Sequence, residues 1–239
     1  MNLIIDQGNT ATKMAIFDEN DLLVKKISFD QENAVEIENW IQSQEKLIKK
    51  IIISNVTDTI LKTPVVFKII LTNETPNLLI NKYETPQTLG KDRLANAVAI
   101  WAKNPNLNSL CIDIGTCIKY DLVTSKGEYL GGNISPGIRM RYQALHEMTA
   151  HLPQIEPQNF AYGFGTTTAS SILNGVQQAI HHEINGFIQR YTNDFGQLTI
   201  FMTGGDSNYF EKEFKNTIFA DCDLTIYGLN EILKYNVKN

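Results

Sequence analysis

The sequence predicts an α/β protein made of two copies of one unit, and three observations carry that prediction. A short message occurs twice, as Leu3-Ile4-Ile5-Asp6-Gln7-Gly8-Asn9-Thr10 near the start and Leu110-Cys111-Ile112-Asp113-Ile114-Gly115-Thr116 near the middle. Asp113 follows Asp6 by 107 positions in a chain of 239 residues, close to half its length. Around each copy, short apolar runs alternate with stretches whose apolar residues recur at helical spacing.

The elements follow in order. Residues 2–6, 12–18 and 22–29 read as strands of a meander, with Asp18 to Asp21 turning the chain. Residues 34–48 carry Val35, Ile37, Trp40, Ile41, Leu47 and Ile48 at helical intervals, and 50–56 returns to a buried strand. A strand near 65–71 precedes a loop, 72–90, rich in proline and asparagine; long loops in compact domains often carry function. A helix is predicted over 92–102, with Asp92 in its first turn, where an acid suits the helix dipole. The second half repeats the logic: strands at 109–113, 117–123 and 128–134, a helix from Pro136-Gly137 to about 148, a longer one over 168–191, and a last core strand at 198–202. The expected domains are 1–107 and 108–239, with Pro105 and the asparagines 104, 106 and 108 marking a hinge.

Composition narrows the function classes. With 43% hydrophobic residues the chain can bury a substantial core. A net charge of −5 with scattered lysines argues against nucleic acid or an anionic membrane as partner. Three cysteines, two of them inside the second motif, suit a reducing cytoplasm better than a disulfide framework. Export and membrane insertion are not expected, since no apolar span has membrane length. The four histidines have neither i, i+4 spacing nor a cysteine neighbour, which makes a zinc site improbable.

The motifs point to phosphate chemistry. Alone, Asp-x-Gly followed by a small hydroxyl or amide residue is a β-turn; at the end of a strand, twice, it suits a metal-bound phosphate. Asp6 and Asp113 can hold cations, Thr10 and Thr116 can donate to phosphate oxygens, and Lys13 can neutralise charge. Two facing copies would hold a nucleotide in a cleft between them, the architecture of duplicated ribonuclease H-like domains in actin, hexokinase and the heat-shock ATPases. No P-loop or dinucleotide fingerprint competes with this reading. Thr203-Gly204-Gly205-Asp206 offers bare backbone to a flat ring. In Gly90-Lys91-Asp92-Arg93, Asp92 could accept a hydroxyl proton and Arg93 could grip a substrate carboxylate. The residues thus reach a small-molecule kinase with an anionic substrate.

Taken together, Asp6 to Thr10 with Lys13, Tyr83 to Arg93 with Asn96, Asp113 to Thr116, Gly131-Gly132-Asn133-Ile134-Ser135-Pro136-Gly137 and Thr203-Gly204-Gly205 resemble type III pantothenate kinase in order and spacing. The resemblance implies ATP-dependent phosphorylation of pantothenate to 4′-phosphopantothenate, the first step of coenzyme A synthesis. It implies that Asp6, Gln7, Gly8, Asn9, Thr10, Ala11, Thr12 and Lys13 bind ATP, with Asp6 helping to place Mg²⁺, and that Thr116 contacts ATP. Asp92 would be the proton acceptor; Tyr83, Gly90, Lys91, Asp92, Arg93 and Thr168 would line the pantothenate site; Asp113 would bind a monovalent cation, K⁺ or NH₄⁺; and the protein would be a cytoplasmic homodimer. After Asp-x-Gly-Thr the family continues with Ala and, two residues on, Thr, whereas this chain has Cys117 and Lys119. Lys119 could face solvent or enter the site. Two other readings stay open: a non-catalytic regulatory protein on the same fold, and another small-molecule kinase, such as one for a sugar.

Overall fold

A computed structural model describes residues 1–8, 11–30, 33–55, 67–159, 162–214 and 218–238. The chain opens with the meander β1 (Asn2–Gln7), β2 (Ala11–Phe17) and β3 (Leu23–Asp30), followed by α1 (Ala34–Gln44), β4 (Lys50–Asn55), β5 (Phe67–Ile70), the two-residue β6 (Ile80–Asn81) and α2 (Lys91–Lys103). The sheet order is β3-β2-β1-β4-β5. Its meander pairs are antiparallel, whereas β1/β4 and β4/β5 are parallel. Strand β1 is covered on both faces, so it reads as a continuous apolar run rather than an alternating one. Leu3 and Ile5 enter one core with Ile37 and Ile41 of α1, while Ile4 enters another with Ala95 and Val98 of α2. By the two-residue period of a strand, Asp6 shares the face of Ile4, the face that α2 covers.

The second unit runs through β7 (Ser109–Ile114), β8 (Cys117–Val123), β9 (Glu128–Pro136), α3 (Ile138–Glu147), α4 (Thr168–Phe195), β10 (Thr199–Thr203), the single-turn α5 (Glu211–Phe214) and β11 (Ile218–Ala220). Strands β9-β8-β7-β10-β11 repeat the order and directions of β3-β2-β1-β4-β5: two antiparallel pairs, then two parallel ones. The duplicated motif therefore marks a duplicated α/β unit. Leu110, Ile112 and Ile114 of β7 pack with Ile172, Val176, Ile180 and Ile184 of α4. Helix α4 begins cleanly because Thr167 and Ser170 cap it reciprocally, side chain to backbone in both directions.

The chain ends in α6 (Leu224–Lys238), which the sequence reading did not anticipate. The compact units are Met1–Lys103 with Asp223–Asn239, and Asn104–Cys222. The expected division into 1–107 and 108–239 differs from this at its C-terminal end. Ile226, Leu229, Ile232 and Leu233 of α6 are buried against Ile4, Ala95 and Val98, and each such burial is worth about 1.5–3 kcal/mol. Contact is close because Gly228 lies where a Cβ would stand 1.8 Å from the Ala95 carbonyl oxygen. Thr225 Oγ1 adds a hydrogen bond of 2.8 Å to Asn96 Oδ1. Smaller differences are that α1 stops at Gln44 and that the 72–90 loop contains β6 and a 3₁₀ turn over Pro86–Thr88. Part of the strand expected near 65–71 lies outside the described residues.

Candidate functional site

In the first unit, residues from three elements gather at one edge of the sheet. Asp6 lies at the carboxyl end of β1, opposite Lys13 on β2 and Ser54 on β4. The following turn is closed by the Gly8 N–H donating to the Ala11 carbonyl at 3.0 Å; Asn9 and Thr10 lie outside the described residues. Gln7 and Thr12, paired across β1 and β2, are buried, and among the described residues Gln7 Oε1 has no hydrogen-bond partner. Ala11 and Lys13 are half-buried. Gln7 also stands beside Asn55 at the end of β4. Lys91 Nζ donates to the Asn55 carbonyl at 2.8 Å and to Asn55 Oδ1 at 3.1 Å, which pins the start of α2 to that edge.

The same first turn holds Asp92, whose Oδ1 accepts from the Arg93 N–H at 2.9 Å. Arg93 is only 4% exposed, and its guanidinium carbon lies 5.5 Å from the centre of the half-buried Tyr83 ring. A cation held against an aromatic face in a dry setting is oriented before any ligand arrives. Asp6, Lys91, Asp92, Arg93 and Tyr83 thus belong to one unit, and Asp6 lies on the face that α2 covers.

In the second unit, three separate motifs converge on Asp113. In register it stands between Lys119 on β8 and Thr203 on β10. The Gly115 N–H donates to the Cys117 carbonyl at 3.0 Å, closing a turn that leaves Thr116 exposed at its tip. The Gly137 N–H donates to the Thr116 carbonyl at 3.0 Å, which docks the start of α3 on that turn. Gly204 has φ +99°, and a Cβ there would stand 2.2 Å from the Ile114 carbonyl oxygen, so both conformation and space demand glycine. The Asp206 N–H donates to that same carbonyl at 3.0 Å. Burial pushes the Asp206 carboxyl up, opposed by Arg139 at 3.8 Å.

Lys119 enters this arrangement. Its Nζ lies 2.7 Å from Asp113 Oδ2, with side-chain exposures of 17% and 11%. The expectation of a monovalent cation on Asp113 therefore meets a carboxylate already carrying a fixed ammonium. A further unit positive charge about 4 Å from Nζ would face about 4 kcal/mol of repulsion at an effective dielectric constant near 20, which offsets most of the attraction the Asp113 carboxylate offers it. These residues do not fit a bound K⁺. For Mg²⁺ the expectation is less demanding, since a nucleotide-borne Mg²⁺ needs only one or two carboxylates besides the phosphates; Asp6, at a strand end beside a phosphate-type turn, suits that role.

Thr168 belongs to the second unit, at the start of α4. It is exposed at the first position of α4 and lines a groove of about 400 Å³ with Arg141, Leu145, Leu152, Ile172 and Val176. Behind the groove, Glu183 of α4 accepts from Tyr120, Ser135 and Arg141, joining four elements. Burial raises its carboxyl, but the three donors and the Arg141 charge together outweigh burial and hold it below the usual range. Sequence reasoning missed Glu183 and Asn55, whose partners are distant in the chain. It flagged Lys119 only as a departure from a pattern.

Comparison with known proteins gives a consistent result. A family model described as "Type III pantothenate kinase" matches residues 2–190. A type III pantothenate kinase from Christiangramia forsetii is 42% identical over 99% of both chains. One from Bacteroides fragilis is 39% identical over 99% of this chain and 98% of its own. Among solved structures, a conserved Campylobacter jejuni protein assigned to the Baf family of transcriptional activators matches with TM-score 0.66 and 22% identity, over 99% of this chain and all of that one. A Sinorhizobium meliloti protein assigned as a 2-dehydro-3-deoxygalactonokinase matches with TM-score 0.60 and 11% identity, over 98% and 96%. At such identities these two speak for the fold alone.

Proposed function

The chain belongs to the type III pantothenate kinase family, and on that premise we propose that it transfers the γ-phosphoryl group of ATP to the hydroxyl of pantothenate. The product is 4′-phosphopantothenate, and the step opens coenzyme A biosynthesis. The observation that carries the reading from family to site is the first turn of α2. There Asp92 and a buried Arg93, stacked on Tyr83, are pinned through Lys91 to the sheet edge that bears Asp6.

In this reading Asp92 accepts the hydroxyl proton as its oxygen bonds to the γ-phosphorus and the bond to the ADP oxygen breaks. Arg93 pairs bidentately with the pantothenate carboxylate, helped by Tyr83, Gly90 and Lys91. The residues of the first turn, Asp6 to Lys13, hold the ATP phosphates, and Thr116 donates to the nucleotide from the second motif. Asp6 would hold Mg²⁺, which when bound offsets phosphate charge. Thr168 contacts pantothenate from α4. The reading also includes a homodimer, supported by the apolar groove between α3 and α4 and by Phe164 and Met148, 100% and 85% exposed. A cytoplasmic location is supported by three free cysteines. Among the described residues no helix is long and apolar enough to cross a membrane.

The test is ADP release by the purified protein with ATP and Mg²⁺, with and without pantothenate, the product being weighed by mass spectrometry. Release that depends on pantothenate and yields its monophosphate is the expected result. Release indifferent to pantothenate would sink the reading.

A further inference from the structure

We propose that Lys119 supplies, as a tethered ammonium, the positive charge that the family resemblance assigns to a monovalent cation at Asp113, so that this chain works without K⁺ or NH₄⁺. The inference rests on the kinase reading above and refines it at one position.

Three observations carry it. Lys119 stands directly opposite Asp113 in the antiparallel register of β8 and β7, so their side chains leave the same face of the sheet. The lysine head reaches Asp113 Oδ2 at 2.7 Å, and both side chains are mostly buried, so this is not a loose surface pair. The carboxylate also lies against two of the glycine turns: a Cβ at Gly204 would stand 2.6 Å, and one at Gly115 4.0 Å, from Asp113 Oδ1. The family pattern has threonine at position 119, a side chain that brings no charge. A lysine head is an ammonium ion with one hydrogen replaced by the stem: the same charge, three donors, no acceptor. Because it is anchored across a strand pair, it is present whatever the salt, whereas a dissolved cation must be captured.

The experiment compares the wild type with Lys119→Thr in KCl, NH₄Cl, NaCl and choline chloride at equal ionic strength. Two readouts are used: pantothenate-dependent ADP release and the thermal unfolding midpoint. Wild-type release is expected to vary by no more than about twofold across the salts, while the variant falls by about tenfold or more in choline chloride and recovers in KCl or NH₄Cl. The variant's midpoint rises in KCl relative to choline chloride, and the wild type's does not. A wild type that loses about tenfold when K⁺ is withdrawn overturns the inference and leaves the kinase reading intact. Absence of turnover in every salt counts against the kinase reading instead, and the melting comparison then decides the inference alone. A variant that K⁺ neither reactivates nor stabilises overturns it as well, since Lys119 would then be a structural pair only.

Discussion

Asp92 and Arg93 are adjacent in sequence yet held in different ways. The Asp92 carboxylate is half-buried and bonded to a neighbouring backbone N–H, while the Arg93 guanidinium is buried against an aromatic ring. Asp92→Asn keeps the shape and removes the proton acceptor, so kcat is expected to fall by about 10²–10⁴-fold; ADP-release kinetics at saturating pantothenate check this. Arg93→Lys keeps the charge but loses the planar fork, so KM for pantothenate should rise by roughly tenfold with a smaller change in kcat. If kcat alone moved, the carboxylate contact would be the wrong role for Arg93.

Between elements, two contacts decide how well the pieces hold together. Gly228 lets α6 approach α2 so closely that Gly228→Ala must push the helices apart, at a cost of about 1–3 kcal/mol. Urea unfolding of the variant measures it, and an unchanged midpoint would show that the helices shift freely. Glu183 ties α4 to α3, β8 and β9 through Arg141, Tyr120 and Ser135. Its carboxyl is held below the ordinary value of 4.5, so the stability it contributes is complete above that pH and is lost as pH falls through the lower folded-state value. Unfolding midpoints between pH 7 and pH 3, at intervals set by the buffer series, should drop more steeply for the wild type than for Glu183→Gln. Parallel curves would count against the ion pair.

At the scale of the whole molecule, each unit has its own core. An α3–α4 groove lined by half-buried and buried apolar side chains is the surface on which the proposed homodimer rests. Ala179→Asp places a charge at an exposed position of that groove, and sedimentation of the variant is expected to show monomers where the wild type sediments as a dimer. A wild type that is monomeric at micromolar concentration would remove the dimer from the reading.

The internal repeat and the turns at Asp6 and Asp113 were legible in the sequence because they are local. Apolar runs mark β1 and β7, and an Asp-x-Gly turn follows each within a few residues. Helical spacing marks α2 and α4 for the same reason. What the sequence could not decide was which distant segments meet. It placed everything from residue 108 onward in the second domain because chain order is the only proximity a sequence offers, whereas α6 completes the first core by burying Ile226, Leu229 and Ile232 beside Ile4. It left Lys119 undecided between solvent and site, since alternation along a strand gives a side chain's face but not the partner across it. Only the pairing of β7 with β8 brings that ammonium to the Asp113 carboxylate, and only the packed start of α2 brings Lys91 to Asn55.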